Sequence, residues 1–185
     1  MIDAKREAQA QEPTKQARVP VPTMLRATVA LALVRLLSSY VWFNGAFIGP
    51  DAKFAPPFLA GPGLASRITG GFVHTALTSG IASWLTSTVV PHASLFAWLL
   101  ALGEAAVGIS MLLGVFTRLG SVLAIAQAIV NILVVGGAGA DTIGQNYLLI
   151  IVSLAFIAAA AGRTYGIDGI LLRRFPHSRV MRLLA

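Results

Sequence analysis

Cysteine is absent from this 185-residue chain, which excludes disulfides, thiol redox centres, iron–sulfur clusters and thiolate metal sites. Charge is scarce as well. Only 11 % of residues are charged, against roughly a quarter in an average soluble domain. There are seven acidic residues and three histidines, and the histidines, at 74, 92 and 177, fall outside the long apolar runs. No pair of them can clasp a haem within those runs, and no metal-ligand cluster, nucleophile triad or phosphate-cradling loop is present. The glycine-rich stretch GGAGADTIG at residues 136–144 follows no strand, so it reads as a turn and not as a nucleotide fingerprint.

What remains is apolar: 56 % of residues, with a mean hydropathy of +0.78. A bilayer core about 30 Å thick takes roughly 20 apolar residues per helix. Four windows qualify, at residues 27–48, 95–116, 119–136 and 146–162. A further stretch, residues 71–90, is rich in Ser and Thr. Its apolar residues Phe72, Leu77, Ile81, Trp84 and Leu85 recur at helical spacing, which suits an amphipathic helix at the membrane interface. The fold class expected is all-α, a polytopic four-transmembrane-helix bundle with an interfacial amphipathic helix between the first and second spans.

The net charge of +7 would suggest nucleic acid in a soluble protein, but here its distribution argues for a membrane and against nucleic acid. With four spans, eleven basic residues fall on one side: five before the first span, then Arg118, Arg163 and the four arginines from Arg173 to Arg182. Only Lys53 and Arg67 fall on the other, and Arg35 lies inside the first span. The positive-inside rule then places both termini in the cytoplasm of a bacterial-type inner membrane. A fifth span would put the two basic termini on opposite sides. Residues 1–23 read as a disordered cytoplasmic tail, 24–166 as the membrane domain and 167–185 as a basic cytoplasmic tail on the anionic inner leaflet. Tyr40, Trp42, Trp84 and Trp98 gather toward the other face, as an interfacial belt would.

Two ionisable residues, Arg35 and Glu104, lie within the spans, where a charge costs roughly 2.5–3.5 kcal/mol on insertion scales and normally faces the bundle with a partner. Counting about 1.5 Å per residue from the cytoplasmic ends brings both into reach of one layer, with Gln127 and Asn131 one turn apart on the third span. The expectation is a shared polar layer with Arg35 paired to Glu104, Asn131 offering a donor and an acceptor, and Arg118 at the cytoplasmic mouth. Small residues support close packing there: Ala101 and Gly108 flank Glu104 on one helix, and Gly120 and Ala124 precede Gln127 on the next. Such a layer can equally be a clamp that only holds the bundle together.

The segment GEAAVGISMLLGVFTR at residues 103–118 resembles the DoxX/DoxD family of small four-helix membrane proteins. There a Glu opens a helix face, a Gly follows one turn on, and the helix leaves the membrane through Leu-Gly and Thr-Arg. AGRTYGIDGIL, residues 161–171, is similar to the family's exit from its fourth helix, and Arg35 in an apolar first helix agrees. The resemblance implies a membrane subunit of the thiosulfate:quinone oxidoreductase kind, or a component of an oxidative-stress complex. A subunit of the first kind would expose anion-binding donors outside the membrane, for which only Lys53, Arg67 and the outer histidines are available.

The reading favoured is a redox-complex subunit whose polar layer, with Arg35, Glu104, Gln127, Asn131 and Arg118 as candidate ligand-binding residues, binds a quinone or similar lipophilic ligand. No cofactor is expected within the chain beyond a bound quinone, no metal is expected, and no catalytic residue is assigned. The partners are the lipid bilayer and a redox subunit, with self-association left open. A non-catalytic anchor for a soluble oxidoreductase, or a small oligomeric transporter, are the alternatives. Topology is directly testable. Reporter fusions after Ser66 and after Gly162 should report opposite sides of the membrane, and the same side for both would overturn the four-span arrangement.

Overall fold

The computed structural model describes residues 21–185, with side chains from Ala27 onward. The expected tail at residues 1–23 lies, except for its last three residues, outside the described part. Among the described residues every regular element is helical, and four helical stretches are long and apolar enough to cross a membrane.

The first span is α1 (Val21–Phe43), prolonged by a π turn at Asn44–Ile48 and stopped at Gly49-Pro50. Two short helices follow, α2 (Pro56–Leu59) and α3 (Pro62–Arg67), each with proline in its first turn, where the missing N–H costs nothing. A π turn at Ile68–Phe72 carries α3 on to Thr75. The chain then reverses through the extended Ala76, and Thr78 caps α4 (Ser79–Trp84) by accepting from the Ile81 N–H at 3.3 Å.

From α4 the helical path runs unbroken into α5 (Ala93–Leu113), a stretch of 35 residues. That is about 52 Å of helix, well beyond the ~30 Å a bilayer core requires. Pro91, which cannot donate in the helix interior, is absorbed by a π turn at Leu85–Val89 and a 3-10 turn at Val90–His92. The stretch at residues 71–90 is therefore not one helix. It is the far end of α3, a reversal, and the near end of the long second span.

The third span is α6 (Thr117–Val135) and the fourth is α7 (Ala140–Ala159), which begins six residues before the expected boundary at Asn146. Packing runs α1 on α5, α5 on α6, and α6 on α7. A core of Trp42, Val107, Met111, Ala124 and Phe156 draws on all four spans. Trp42 is 6 % exposed, so it belongs to this core and not to an interfacial belt, whereas Tyr40, Trp84 and Trp98 are exposed. The apolar outer faces, such as Leu33 and Leu37 on α1 and Leu148 and Ile151 on α7, are the lipid-facing surface of a multi-pass membrane protein.

α3 and α4 form a helical hairpin over one end of the bundle. Its tip docks on the C-terminus of α6: the Leu77 N–H donates to the Leu133 carbonyl at 2.9 Å and the Thr75 hydroxyl to that of Val134 at 3.4 Å. Carbonyls that a helix end leaves unpaired are thereby satisfied. Gly137 permits the approach, because a Cβ there would lie 2.8 Å from the Thr75 carbonyl oxygen.

The opposite end is closed by the C-terminal helices α8 (Ile167–Arg174) and α9 (Arg179–Leu184). Fully buried Asp168 accepts from the backbone N–H groups of Phe116 (2.6 Å) and Thr117 (2.9 Å), and so caps α6 from a distance. Its own N–H donates to Gly114, which ends α5 in the left-handed region at φ +62°. Arg35, 1 % exposed, donates to the Tyr165 carbonyl at 3.0 Å and feels the Asp168 charge. Side chains at Gly114 or Gly166 would overlap its guanidinium.

Asp168→Ala strips two helix-terminal N–H groups of their acceptor, at about 1–3 kcal/mol apiece when buried. The apparent Tm in detergent should fall by roughly 4–24 °C, at some 2–4 °C per kcal/mol for a chain of this size. Asp168→Asn, which keeps one acceptor oxygen, should fall between that variant and the wild type.

Candidate functional site

The π turn at the end of α1 shapes the site. Widening the helix frees the carbonyls of Gly45 and Ala46, and these accept from the backbone N–H groups of Lys53 (3.1 Å) and Phe54 (3.0 Å). The loop after the first span is thus zipped back along the helix end. That turns Lys53 inward, where its ammonium meets Oε1 of Glu104 on α5 at 2.8 Å. Gly45 makes the room: a Cβ at that position would stand 2.7 Å from Oε2 of Glu104.

This ion pair borders a partly open cavity of about 440 Å³ between the hairpin and the spans. The hairpin side is one apolar cluster that includes Phe58, Leu64, Ile68, Leu85 and Val89. The span side brings Gln127 and Asn131 from α6, and Thr142, Gln145 and Asn146 from the start of α7. Gly103 admits the Gln127 amide, whose nitrogen a Cβ there would overlap. Asn146 is buried and donates to the Thr142 carbonyl at 2.8 Å. Asp51 and Arg67, 3.0 Å apart, add a more exposed ion pair, with the Arg67 guanidinium 5.2 Å over the Phe58 ring. Oε2 of Glu104 and Oε1 of Gln127 are buried without a partner.

Of the five expected site residues, Glu104, Gln127 and Asn131 line this cavity together. Arg35 does not, and its expected pairing with Glu104 is corrected. Its guanidinium lies against Gly114 and Gly166, and Gly114 is ten residues, or about 15 Å of helix, beyond Glu104. Counting depth from equal starting planes failed because α1 begins by Val21, six residues before the expected start, so that Arg35 sits level with the C-terminal cap of α5. Arg118 is also elsewhere: it donates to the Arg182 carbonyl at 3.0 Å and ties α6 to α9. It is not among the residues that line this cavity. The partner that sequence reasoning did not assign to Glu104 is Lys53. One signal was there, since Lys53 and Arg67 are the two basic residues of the hairpin side and both reach the cavity. His74, His92 and His177 are all exposed.

Residues 30–185, most of the chain, match the family described as TQO small subunit DoxD. The protein is a member of the DoxD family. TQO is thiosulfate:quinone oxidoreductase. No curated protein and no solved structure matches the chain. The DoxD match takes in the whole of the cavity, from Val41 to Leu149.

The revised pairing can be measured by double-mutant cycles on stability in detergent. Lys53→Met and Glu104→Gln should each destabilise, and the double variant should lose less than their sum, with a coupling of about 0.5–3 kcal/mol. Arg35→Leu and Glu104→Gln, on groups roughly 15 Å apart, should instead add within about 0.5 kcal/mol. Coupling between Arg35 and Glu104 would overturn the assignment.

Proposed function

We propose that this DoxD protein is the membrane subunit of a thiosulfate:quinone oxidoreductase-type complex, and that the cavity beneath the hairpin receives the quinone headgroup. The observation that carries the proposal is the cavity itself, an apolar chamber of about 440 Å³ with a charged and amide-bearing border. Ligand sites are commonly of this form, mostly apolar with a few convergent polar groups that fix orientation. A bundle that served only to anchor a partner gains nothing from an ion pair beside a void, because buried charges are costly unless they are fully hydrogen-bonded.

The residues suit a quinone on three counts. Trp42, Phe58, Leu85 and Phe96 offer flat and branched apolar surface for the ring. Lys53 and Asn131 can donate to the ring oxygens, and the bare oxygens of Glu104 and Gln127 can accept from the hydroxyls of the reduced ring. When bound, the quinone supplies the two-electron chemistry for which the cysteine-free chain has no thiol centre of its own. The chain's residues bind the ring, orient its oxygens and exclude water from it.

The arginine-rich end, with α8 and α9, faces the cytoplasm in this reading, and the cavity lies toward the outer face of an inner membrane. The charge asymmetry supports that orientation. The electron-donating partner would then meet the protein at the hairpin end, near the exposed Asp51.

The test is binding of a short-chain benzoquinone to the purified protein in nanodiscs by isothermal titration calorimetry. Saturable binding is expected. Asn131→Leu should weaken it about three- to tenfold, the worth of one hydrogen bond, while Arg118→Lys should leave it unchanged. No saturable binding, or equal binding by Asn131→Leu, would favour the anchor reading instead.

A further inference from the structure

Two residues that line the cavity each carry a buried side-chain atom without a partner, and both atoms are oxygens. Glu104 engages Lys53 through Oε1, while its Oε2 receives no hydrogen bond, and neither does Oε1 of Gln127. In its carboxylate form, ion-paired to the Lys53 ammonium through Oε1, Glu104 can only accept. Gln127 has its amide nitrogen in the space left by Gly103 and its oxygen bare. The donors at the same border are better served. Lys53 is ion-paired and keeps about a fifth of its side chain exposed, the Asn146 amide already donates to Thr142, and Asn131 is exposed. A bare buried acceptor carries its whole desolvation penalty, so the ligand that gains most here is one that brings hydrogen-bond donors.

We infer that the cavity selects the reduced, dihydroxy form of its aromatic ligand over the dione, through hydroxyl donation to Oε2 of Glu104 and Oε1 of Gln127. The inference rests on the reading of this cavity as a quinone site and adds the oxidation state that it prefers. The dione carries only acceptor oxygens, so against Glu104 and Gln127 it sets lone pair against lone pair. The diol presents an O–H to each. The apolar wall meets the ring of either form alike and does not discriminate between them. Glu104 and Gln127 are thereby the specificity-determining residues, and Gly45 and Gly103, which leave room for their head groups, are the positioning residues behind them.

Such selectivity has an energetic consequence for the bound ligand. A site that holds the diol tenfold more tightly than the dione raises the two-electron potential of the bound pair by about 30 mV. The bound dione is then a stronger oxidant than the same molecule free in the bilayer.

The experiment is anaerobic calorimetric titration of the full chain in nanodiscs with a short-chain benzoquinone and, separately, with the corresponding hydroquinone. The diol should bind at least tenfold more tightly. Gln127→Leu should cut that preference by threefold or more while leaving dione affinity within twofold, and Glu104→Gln, where it folds, should cut it further. A dione that binds as tightly as the diol, or a preference that survives Gln127→Leu, would overturn the selectivity and leave the quinone site standing. Binding of neither form would remove the quinone reading, and the selectivity with it.

Discussion

The Lys53–Glu104 ion pair is the interaction on which the hairpin half of the molecule depends. A carboxylate in the middle of a transmembrane helix needs a cation, and none of the spans supplies one at that depth. The cation comes from the loop after the first span, and the loop reaches it only because α1 ends in a π turn whose freed carbonyls hold residues 53 and 54. Once the loop is folded inward, α2 and α3 must lie over the bundle end and not away from it. The hairpin tip can then satisfy the carbonyls at the end of α6. The cavity is the volume that this folded-in segment covers without filling.

The second buried charge shows the contrast between a lock and a site. Arg35 is almost wholly enclosed, donates to a carbonyl and faces two glycines that leave no space beside it. Asp168 nearby spends its two oxygens on the N-terminus of α6. That cluster binds the C-terminal helices to the ends of α5 and α6 through buried hydrogen bonds. Glu104 is also buried, yet it borders open volume and keeps one oxygen free. Burial and charge are common to both residues. Both also keep unpartnered atoms, Nε and Nη1 of Arg35 and Oε2 of Glu104. What separates them is that Glu104 lines the cavity beneath the hairpin while the Arg35 guanidinium is packed against Gly114 and Gly166.

Much of this architecture was legible in the sequence, and the failures share one cause. Four spans, their order and the facing of small residues could be read from hydropathy and spacing, because lipid imposes length and composition on each helix separately. Gly108 against Phe43 and Gly120 against Ser110 are contacts of the kind that the small-residue pattern anticipates. Relative depth between helices is a tertiary quantity. Arg35 and Glu104 look level only if α1 and α5 start at the same plane, and they do not. Lys53 was visible as a rare cation on its side of the membrane, but nothing local announced that its loop would fold inward. The asparagine and glycines of residues 44–49 are the nearest to a signal, because a π turn leaves no mark on hydropathy. Asp168 was noted only as part of a motif. Its capping role joins residues more than fifty positions apart, and no spacing rule reaches that far.

The distribution of irregular backbone completes the argument. Within a bilayer, non-helical or widened backbone is tolerated where it is buried in protein or lines a cavity, since free polar groups elsewhere would face hydrocarbon. Among the described residues the π turns at Asn44–Ile48, Ile68–Phe72 and Leu85–Val89 all lie in the segment around the cavity, and α6 and α7 have none. Ile68, Phe72, Leu85 and Val89 line the chamber, and the first turn delivers Lys53 to it. A bundle built only to anchor a partner would be at its most stable with regular helices throughout. Here the departures from regularity, the unpaired oxygens of Glu104 and Gln127 and the Lys53–Glu104 ion pair gather around one volume, as the proposed ligand site requires.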